Sequence, residues 1–417
     1  MKKISMNVQV ISPQNQKRKI LSRRQFVKTS AAAALAAQAI RLPASLEATD
    51  GSGTQPTEIQ LKEVIKPLLM KRSEVKAWLD RSDFPFARFD AELGYVHTDR
   101  DVQEGLDGAI CHYRYEKSGA RKLIAHADKA CRINTYGNSF TACEQVSDGE
   151  TWQEYLAAHL GEPIRNFGVG GYSVYQAYRR MLYEEAKLSA EYIIFNIFDD
   201  DHYRNLHGWR RFKFGAGGIA ANGPVPHVAV DPDENRFVEH SNPCPTEESL
   251  YALCELESAY QLFKDDYSLI RRTARALARK AGKRVPTMDY DDEEFTRRGI
   301  WATMRIVELV EKFAAEHNKK VLYVLSYGGY TVQQFIETGR RFDQTLADYF
   351  KDRQLPHVDL MTAHAEDYTK FQCSMAEYLK RYYVGHYHPG GNLFQALAMK
   401  DRLVEMLSPK PPAYLKD

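Results

Sequence analysis

The sequence contains no apolar run that approaches the length of a membrane span, and this absence argues against a membrane-spanning protein. The chain has 417 residues, of which 44% are hydrophobic. This content is sufficient to bury a substantial core, and the length suits one large domain or two ordinary ones. The sequence therefore predicts a globular protein without a stable membrane anchor.

Cysteine is also scarce, and none of the spacings between the cysteines is that of a zinc-binding pair. We therefore expect no metal and no other cofactor. Outside the cytoplasm six cysteines would suit disulfides, but a domain of this size can equally bury them as free thiols. The residues concerned are Cys111, Cys131, Cys143, Cys244, Cys254 and Cys373.

A strong excess of charge of either sign is missing as well. The full chain has a formal net charge of +2, from 57 basic and 55 acidic residues. Residues 1–39 contain eight Lys and Arg residues and no Asp or Glu, so 49 basic and 55 acidic residues remain after them. A polyanion-binding face is not indicated, and we expect no nucleic-acid partner.

The first 39 residues have the features of an export signal. A basic segment containing Arg23-Arg24 precedes an Ala-rich apolar stretch over 30–39, which ends in an Ala-x-Ala cleavage pattern. The two arginines followed by Phe26 resemble a twin-arginine (Tat) signal. A basic surface patch before a helix is the alternative. We predict that residues 1–39 are a signal peptide, that the Tat translocase exports the chain, and that the mature protein is periplasmic or secreted.

The remaining sequence divides into a linker, an N-terminal segment and one larger domain. Residues 40–60 are rich in Thr, Gly, Ser and Pro, which predicts a linker. Residues 61–130 begin with helical periodicity and continue as irregular, aromatic sequence, so we expect them to wrap around the core. Residues 131–417 then alternate strand-like and helix-like segments.

This alternation predicts the fold class. The strand-like segments are mostly short apolar runs, as expected for a parallel sheet whose two faces are covered by helices. We therefore predict a three-layer α/β/α domain of flavodoxin-like type with a five-stranded parallel sheet. The predicted strands lie at 132–136, 164–167, 192–198, 321–326 and 357–360. The predicted helices lie at 151–160, 174–187, 300–317, 342–353 and 391–407.

Residues 209–292 interrupt the alternation after the third strand. Residues 227–230 and 236–239 flank Asp231-Pro232-Asp233, which predicts a hairpin. A helical stretch follows over 247–281. We expect this insertion to lie over the carboxyl ends of the strands as a lid or specificity element, since loops at that position usually shape a substrate site.

Groups suited to hydrolysis follow four of the predicted strands. Ser139 follows the first, Gly168–Ser173 the second, Asp199–His202 the third and Gly385–Pro389 the last. Ligands bind outside the carboxyl ends of the strands in an open parallel sheet. Acyl transfer needs a nucleophile, a base and fixed donors for the oxyanion, and serine, histidine and glycine N–H groups can supply these.

These segments resemble the sequence blocks of the SGNH (GDSL-like) hydrolases. Tyr136-Gly137-Asn138-Ser139 is similar to the Gly-Asp-Ser block, which implies that Ser139 is the nucleophile. The segment from Asn166 to Ser173 is similar to the second block and implies an oxyanion donor at Gly171. The last block of the family has a histidine followed five residues later by glycine, a spacing that implies His386 as the base.

Two departures from the family pattern affect the chemistry. Asp200 stands where the family has an oxyanion Asn, and an ionised carboxylate would repel the developing charge. The site would then need a protonated Asp200, a donor such as Asn196, or backbone N–H groups alone. The Asp that the family places before the histidine is also missing, so a backbone carbonyl or a carboxylate from Asp199–Asp201 would have to orient His386.

The resemblance implies a serine hydrolase that cleaves an ester through an acyl-enzyme. The expected substrate is a small-molecule or polysaccharide ester, and the expected target is an O-acyl (acetyl) group on a carbohydrate. Asn196, Tyr387 and His388 are predicted to contact it. Three of the candidate residues also have a purely structural explanation. Ser139 alone could cap a helix, His386 could bond to backbone groups of its loop, and Gly171 could make a tight turn.

Three other functions remain open from the sequence. An O-acyltransferase would use the same residues with a sugar hydroxyl as acceptor. A non-catalytic glycan-binding protein on a degenerate SGNH scaffold would explain the substituted positions. A metal-dependent hydrolase would use the Asp199–His202 segment with His386 and His388 as a mixed nitrogen and oxygen site.

Overall fold

The computed structural model describes residues 21–22, 55–81, 86–215, 223–286, 289 and 291–415. The strands are β1 (Leu21–Ser22), β2 (Ala87–Asp90), β3 (Gly94–His97), β4 (Arg100–Gln103), β5 (Ile110–Tyr113), β6 (Ile133–Tyr136), β7 (Arg165–Asn166), β8 (Tyr192–Phe198), β9 (His227–Asp231), β10 (Arg236–His240), β11 (Lys320–Ser326) and β12 (His357–Asp359). Apart from β1, the predicted signal peptide lies outside the described residues, as does the predicted linker up to residue 54.

The α-helices are α1 (Glu58–Ile65), α2 (Arg72–Leu79), α3 (Ser139–Ala142), α4 (Trp152–Leu160), α5 (Val174–Glu185), α6 (Asp201–Arg204), α7 (Arg211–Phe214), α8 (Leu256–Phe263), α9 (Tyr267–Lys280), α10 (Glu293–Glu316), α11 (Gly329–Thr338), α12 (Gln344–Asp352), α13 (Leu360–Tyr368), α14 (Met375–Lys380) and α15 (Pro389–Met406). The 3-10 helices are Lys66–Leu68, Leu106–Gly108, Asp148–Glu150, Glu248–Cys254 and Pro412–Tyr414. Within the described residues, no helix is both long enough and apolar enough to span a membrane.

A five-stranded sheet forms the centre of the molecule, with the strand order β12-β11-β8-β6-β7. Every neighbouring pair in it is parallel. Numbered along the chain, these five strands have the order 2-1-3-4-5, which is the flavodoxin-like order. The predicted parallel sheet of five strands is therefore confirmed, and each strand lies within a few residues of its predicted position.

Alternate residues of the sheet belong to two separate cores. Ile193, Phe195 and Ile197 of β8 pack in the core that α5, α10 and α12 cover. Tyr192 and Ile194 of the same strand pack in the core that α4 and α15 cover. Because both faces are apolar, β8 is buried along its whole length. The predicted three-layer α/β/α architecture is confirmed.

The helices that follow the site loops have clear start signals. The Ser173 hydroxyl accepts a hydrogen bond from the Gln176 N–H at the start of α5, and the Gln176 side chain accepts one from the Ser173 N–H. Thr151 caps α4 by accepting from the Glu154 N–H. These side chains satisfy N–H groups that have no partner inside the helix, and so they fix where each helix begins.

The insertion contains the predicted hairpin, formed by the antiparallel strands β9 and β10. Its helices α8 and α9 pack with α1 and α2 from the N-terminal segment in a third core, which we call the N-terminal core. The buried side chains there include Trp78 of α2, Trp209 and Phe263. The insertion is thus attached to the N-terminal segment as well as to the sheet.

Candidate active site

Ser139 lies just beyond the carboxyl end of β6, where the chain turns sharply into α3. Gly137 makes the turn with φ of 155°, a backbone conformation that favours glycine. A Cβ at this position would lie 2.9 Å from the Asn196 backbone oxygen, which is too close. Asn138 then caps α3 by accepting from the Phe140 N–H at 2.8 Å. This tight turn makes Ser139 the first residue of the helix.

The polar groups of Ser139 and Gly171 remain available for a ligand. Within the described part of the chain, the Ser139 hydroxyl forms no hydrogen bond, and the backbone N–H groups of Ser139 and Gly171 donate to no protein group. The loop around Gly171 is held through its carbonyl groups instead. The Tyr95 hydroxyl donates to the Gly170 oxygen at 2.6 Å, and Arg210 donates to the Gly171 oxygen.

His386 packs against the turn that begins at Ser139. Its ring lies 5.0 Å from the Phe140 ring, measured between centroids. The Gln145 side-chain oxygen accepts from the His386 backbone N–H at 2.6 Å and lies 3.3 Å from the imidazole Nδ1. A proton on Nδ1 would leave Nε2 free to accept one, as a base requires. No hydrogen bond joins Ser139 to His386 in the described structure.

Glu144 supplies a carboxylate near the imidazole, on its Nε2 side. Its Oε2 lies 3.9 Å from His386 Nε2, and its Oε1 lies 3.3 Å from an Arg100 nitrogen and 3.8 Å from His97 Nε2. Sequence reasoning considered only residues near His386 and the Asp199–Asp201 segment, and so it missed Glu144 and Gln145. Their position five and six residues after Ser139, at the end of the same turn, was the available signal.

The pKa of His386 reflects these surroundings. Burial lowers the pKa below its ordinary value of 6.5, the carboxylate of Glu144 opposes this, and the positive charges of Arg204 and Arg100 lower it further. The side chain remains 26% exposed. His386 is therefore neutral at neutral pH and can accept a proton.

Asp200 does not have the proton that an oxyanion donor needs. Its carboxylate forms ion pairs with Arg204 and Lys213, both at 2.8 Å. Burial opposes ionisation, but the charges of Lys213 and Arg204 outweigh it and hold the pKa of Asp200 below its usual range. An ionised carboxylate can only accept hydrogen bonds, so these ion pairs do not support Asp200 as an oxyanion donor, and its catalytic role stays a prediction.

The other two aspartates of this run point to different partners. Asp199 accepts from the Gly328 N–H at 2.9 Å and from the Thr331 hydroxyl at 2.7 Å. Asp201 accepts from the Asn138 side-chain amide at 2.9 Å and so supports the residue next to Ser139. Among the described residues, no group of three or more His, Cys, Asp or Glu side chains is placed to hold a metal ion.

Asn196 lies in β8, beside the Gly137 turn, and is fully buried. Neither polar atom of its side-chain amide has a hydrogen-bond partner in the described structure. Asn196 is thus a neutral amide with an unused N–H₂ group next to the turn at Gly137. Its predicted contact with the substrate stays a prediction.

Tyr387 and His388 face the protein interior, and their predicted contact with the substrate stays a prediction. The Tyr387 hydroxyl bonds to His364 at 2.7 Å. His388 caps α15 by accepting from the Gly390 N–H at 2.9 Å, and its other ring nitrogen bonds to the Lys380 oxygen at 3.1 Å. Both side chains are buried. These contacts order the loop that carries His386.

A cavity of about 1240 Å³ lies beyond the carboxyl ends of β8 and β11. Asp199 and Asp200 form its inner end, α11 forms one wall, and α9 of the insertion forms another. The insertion therefore borders the carboxyl end of β8, although neither Ser139 nor His386 belongs to the cavity lining. Its predicted function as a lid or specificity element stays a prediction.

Comparison with known proteins gives a weak structural likeness to esterases. No protein-family model matches the sequence, and no curated protein matches it. A lipolytic protein of the G-D-S-L family from Desulfitobacterium hafniense aligns with 67% of this chain and 100% of its own, at 11% identity and a TM-score of 0.33. The acetylxylan esterase Axe2 from Geobacillus stearothermophilus aligns with 65% of this chain and 93% of its own, at 12% identity and a TM-score of 0.31. Sequence identities and TM-scores this low assign neither a family nor an activity.

Proposed function

We propose that this chain is an exported serine hydrolase of the SGNH type, which cleaves an O-acyl ester on a carbohydrate through an acyl-enzyme. The observation that supports this most directly is the turn after β6. It presents the unbonded hydroxyl of Ser139 at the switch point of the sheet, where ligands bind in this strand order. The same turn contacts His386 through Phe140 and Gln145.

In the proposed reaction, the imidazole of His386 takes the proton of Ser139 as the hydroxyl attacks the acyl carbonyl. A bond forms between the serine oxygen and the acyl carbon, and the sugar oxygen leaves with the proton that His386 returns. Water then attacks the acyl-enzyme with His386 as base, which releases the acid and restores Ser139. The transfer of a proton requires the imidazole to move within hydrogen-bond reach of the hydroxyl, which substrate binding often achieves.

The backbone N–H groups of Ser139 and Gly171 serve as the oxyanion donors in this proposal. Both are free of protein partners in the described structure. The unused amide of Asn196 is a third donor beside the turn. Asp200 instead holds Arg204 and Lys213, so its charge is neutralised before any oxyanion develops.

Labelling by a fluorophosphonate probe tests the proposal. We expect the purified protein to react and the Ser139→Ala variant not to react. Ser326→Ala is a matched control, since Ser326 ends strand β11 of the same sheet and is also buried; it should label like the parent. An absence of labelling in folded protein would overturn the proposal.

A non-catalytic glycan-binding protein is the second candidate. Two observations favour it: Ser139 and His386 share no hydrogen bond, and Asp200 is ionised where the resemblance implies a neutral donor. Folded protein that binds a carbohydrate but leaves the probe unreacted would support this candidate. An O-acyltransferase would label as the hydrolase does, and added sugar acceptor would then increase acyl transfer at the expense of acid release.

Export through the Tat translocase forms part of the proposal and rests on the sequence of residues 1–39. Replacing Arg23 and Arg24 by lysine should retain the full-length precursor in the cytoplasm, since the Tat signal depends on the arginine pair. The measurement is cell fractionation with detection of the cleaved and uncleaved chains. Undiminished export of the lysine variant would remove the Tat assignment and leave the enzymatic proposal intact.

A further inference from the structure

The cavity between α9 and α11 has an excess of positive charge. Lys213 and six arginines line it, against four aspartates. Four of these arginines come from α9, at positions 271, 272, 275 and 279. Residues three, four or eight apart lie on the same side of a helix, so α9 presents a basic stripe to the cavity.

The aspartates in the lining neutralise only part of this charge. Lys213 pairs with Asp200 at 2.8 Å and Asp289 at 2.9 Å, and Arg271 pairs with Asp289 at 3.1 Å. Arg275 also lies 3.9 Å from Asp289, and Arg341 pairs with Asp343 and Asp359, which lie outside the lining. Asp200 and Asp289 are therefore shared among Lys213, Arg271 and Arg275.

Two arginines of the stripe have no carboxylate partner in the described part of the chain. Arg272 donates only to the Phe212 carbonyl oxygen, at 2.7 Å. Arg279 forms no ion pair and is exposed. Burial and the proximity of Arg279 lower the pKa of Arg272, and burial and the proximity of Arg271 lower the pKa of Arg275. A bound anion would offset this repulsion and would accept paired hydrogen bonds from the guanidinium groups.

Two exposed aromatic rings also line the cavity. Tyr330 of α11 is 57% exposed and Phe214 of α7 is 49% exposed, and both line the cavity. Flat rings of this kind offer an apolar face to the C–H groups of a sugar ring. The combination of guanidinium groups and exposed rings suits a sugar that carries an anionic substituent.

The cavity also adjoins the proposed reaction site. Asp199 and Asp200 line it, and the next residue, Asp201, bonds to Asn138 beside Ser139. A carbohydrate chain that occupies the cavity would reach the carboxyl end of β8, next to the nucleophile turn.

We propose that this cavity is a subsite for an acidic carbohydrate, whose carboxylate or sulfate groups bind Arg272 and Arg279. This inference rests on the proposed function, because it defines the substrate class of the same hydrolytic site. The natural substrate is then an O-acylated acidic polysaccharide or one of its fragments.

Calorimetric titration with ester-free oligosaccharides tests the subsite independently of catalysis. The probes are a hexamer of galacturonate, a chondroitin sulfate hexasaccharide and neutral xylohexaose. We expect at least one acidic hexasaccharide to bind at least about tenfold more tightly than xylohexaose, with affinity that falls as salt is added. The preferred acidic probe identifies carboxylate or sulfate as the recognised group.

The double variant Arg272→Gln, Arg279→Gln should lose at least about tenfold in affinity for the acidic probe, since charge-assisted hydrogen bonds are lost. Lys280→Gln is the matched control, because Lys280 ends α9, is exposed and lies outside the cavity lining; it should bind like the parent. If the double variant does not fold, Arg279→Gln alone tests the same point, since an exposed side chain is not needed for folding.

The outcomes separate this inference from the proposed function. The subsite would be overturned if acidic and neutral probes bound equally. It would also be overturned if Arg279→Gln and the double variant both bound the acidic probe as tightly as the parent does. Either result would hold even for a protein that the fluorophosphonate labels. Arginine-dependent binding of an acidic probe by unlabelled protein would support the subsite and overturn the hydrolase.

Discussion

Among individual residues, His386 depends on groups that are distant in sequence. Gln145 and Glu144 contact it from the end of the turn that begins at Ser139. His386 is therefore held by the same turn that carries Ser139. A shift of this turn would move the hydroxyl and the imidazole together. The missing Asp before His386 therefore does not leave the imidazole without a polar neighbour.

The pH dependence of ester hydrolysis should report the ionisation of His386. Because its pKa lies below 6.5 and the neutral form is the base, we expect kcat/KM to be constant near neutral pH and to fall in acid, with a midpoint below pH 6.5. Glu144→Gln removes a charge that raises this pKa, so the midpoint should move further down. The measurement is kcat/KM for a small acetyl ester between pH 4 and 8.

The stability of Glu144→Gln must be measured in parallel, because Arg100 loses a buried ion-pair partner. A midpoint that moves upward in folded Glu144→Gln, or an acid limb above pH 6.5 in the parent, would contradict the assignment of His386 as the base.

At the scale of single elements, the loop after β7 packs directly against α3. A Cβ at Gly168 would lie 2.5 Å from the Thr141 carbonyl carbon and 2.7 Å from its Cβ. We expect Gly168→Ala to cost about 1–3 kcal/mol of unfolding free energy, since backbone must move, and to reduce esterase activity by displacing Ser139. Gly149→Ala is the control, because a Cβ there meets nothing within 4 Å. Urea denaturation measures both.

Elements with a strong apolar pattern could be predicted from the sequence. The fully buried β8 was predicted at its observed bounds, because parallel strands covered on both faces are continuous apolar runs. Helix α10 begins at Glu293, seven residues before its predicted start, because its first turns are polar and its cap is Asp292. The helix α11 was missed; Val332 is its only fully buried residue, and its other side chains are partly buried or exposed.

The site could be predicted only in part, for a reason of geometry. The spacing of residues along the chain placed Ser139 and His386 at strand ends, but it did not show which way neighbouring side chains point. Tyr387 and His388 lie next to His386 and yet face inward. Glu144 and Gln145 point toward His386 because the turn after Ser139 reverses direction, which includes a left-handed conformation at Cys143.

For the molecule as a whole, the N-terminal core is predicted to be essential to stability. Trp78 is buried in it. Trp78→Ala should cost about 3–5 kcal/mol, because it removes a large side chain and leaves a cavity. Ile59→Ala on α1 is the control, since Ile59 is 73% exposed and should change stability by less than about 0.5 kcal/mol. An unchanged denaturation midpoint in Trp78→Ala would contradict this importance.

Stability should not depend on the redox state, because all six cysteines are free. Burial raises the pKa of the Cys143 and Cys244 thiols to about 12, so these thiols are protonated and poorly reactive at neutral pH. We expect the same Tm with and without dithiothreitol, measured by thermal denaturation of protein purified from the periplasm or medium. A fall of several degrees on reduction would show that a disulfide forms.

The N-terminal core also constrains the order in which the chain can fold as it leaves the ribosome. Lys62 of α1 donates to Glu257, a residue 195 positions later, and α8 and α9 of the same late segment share the apolar core of α1. Contacts over such a separation form slowly. Helix α1 must therefore wait for these contacts until more than half of the polypeptide has emerged, and this interval is when a holding chaperone would act.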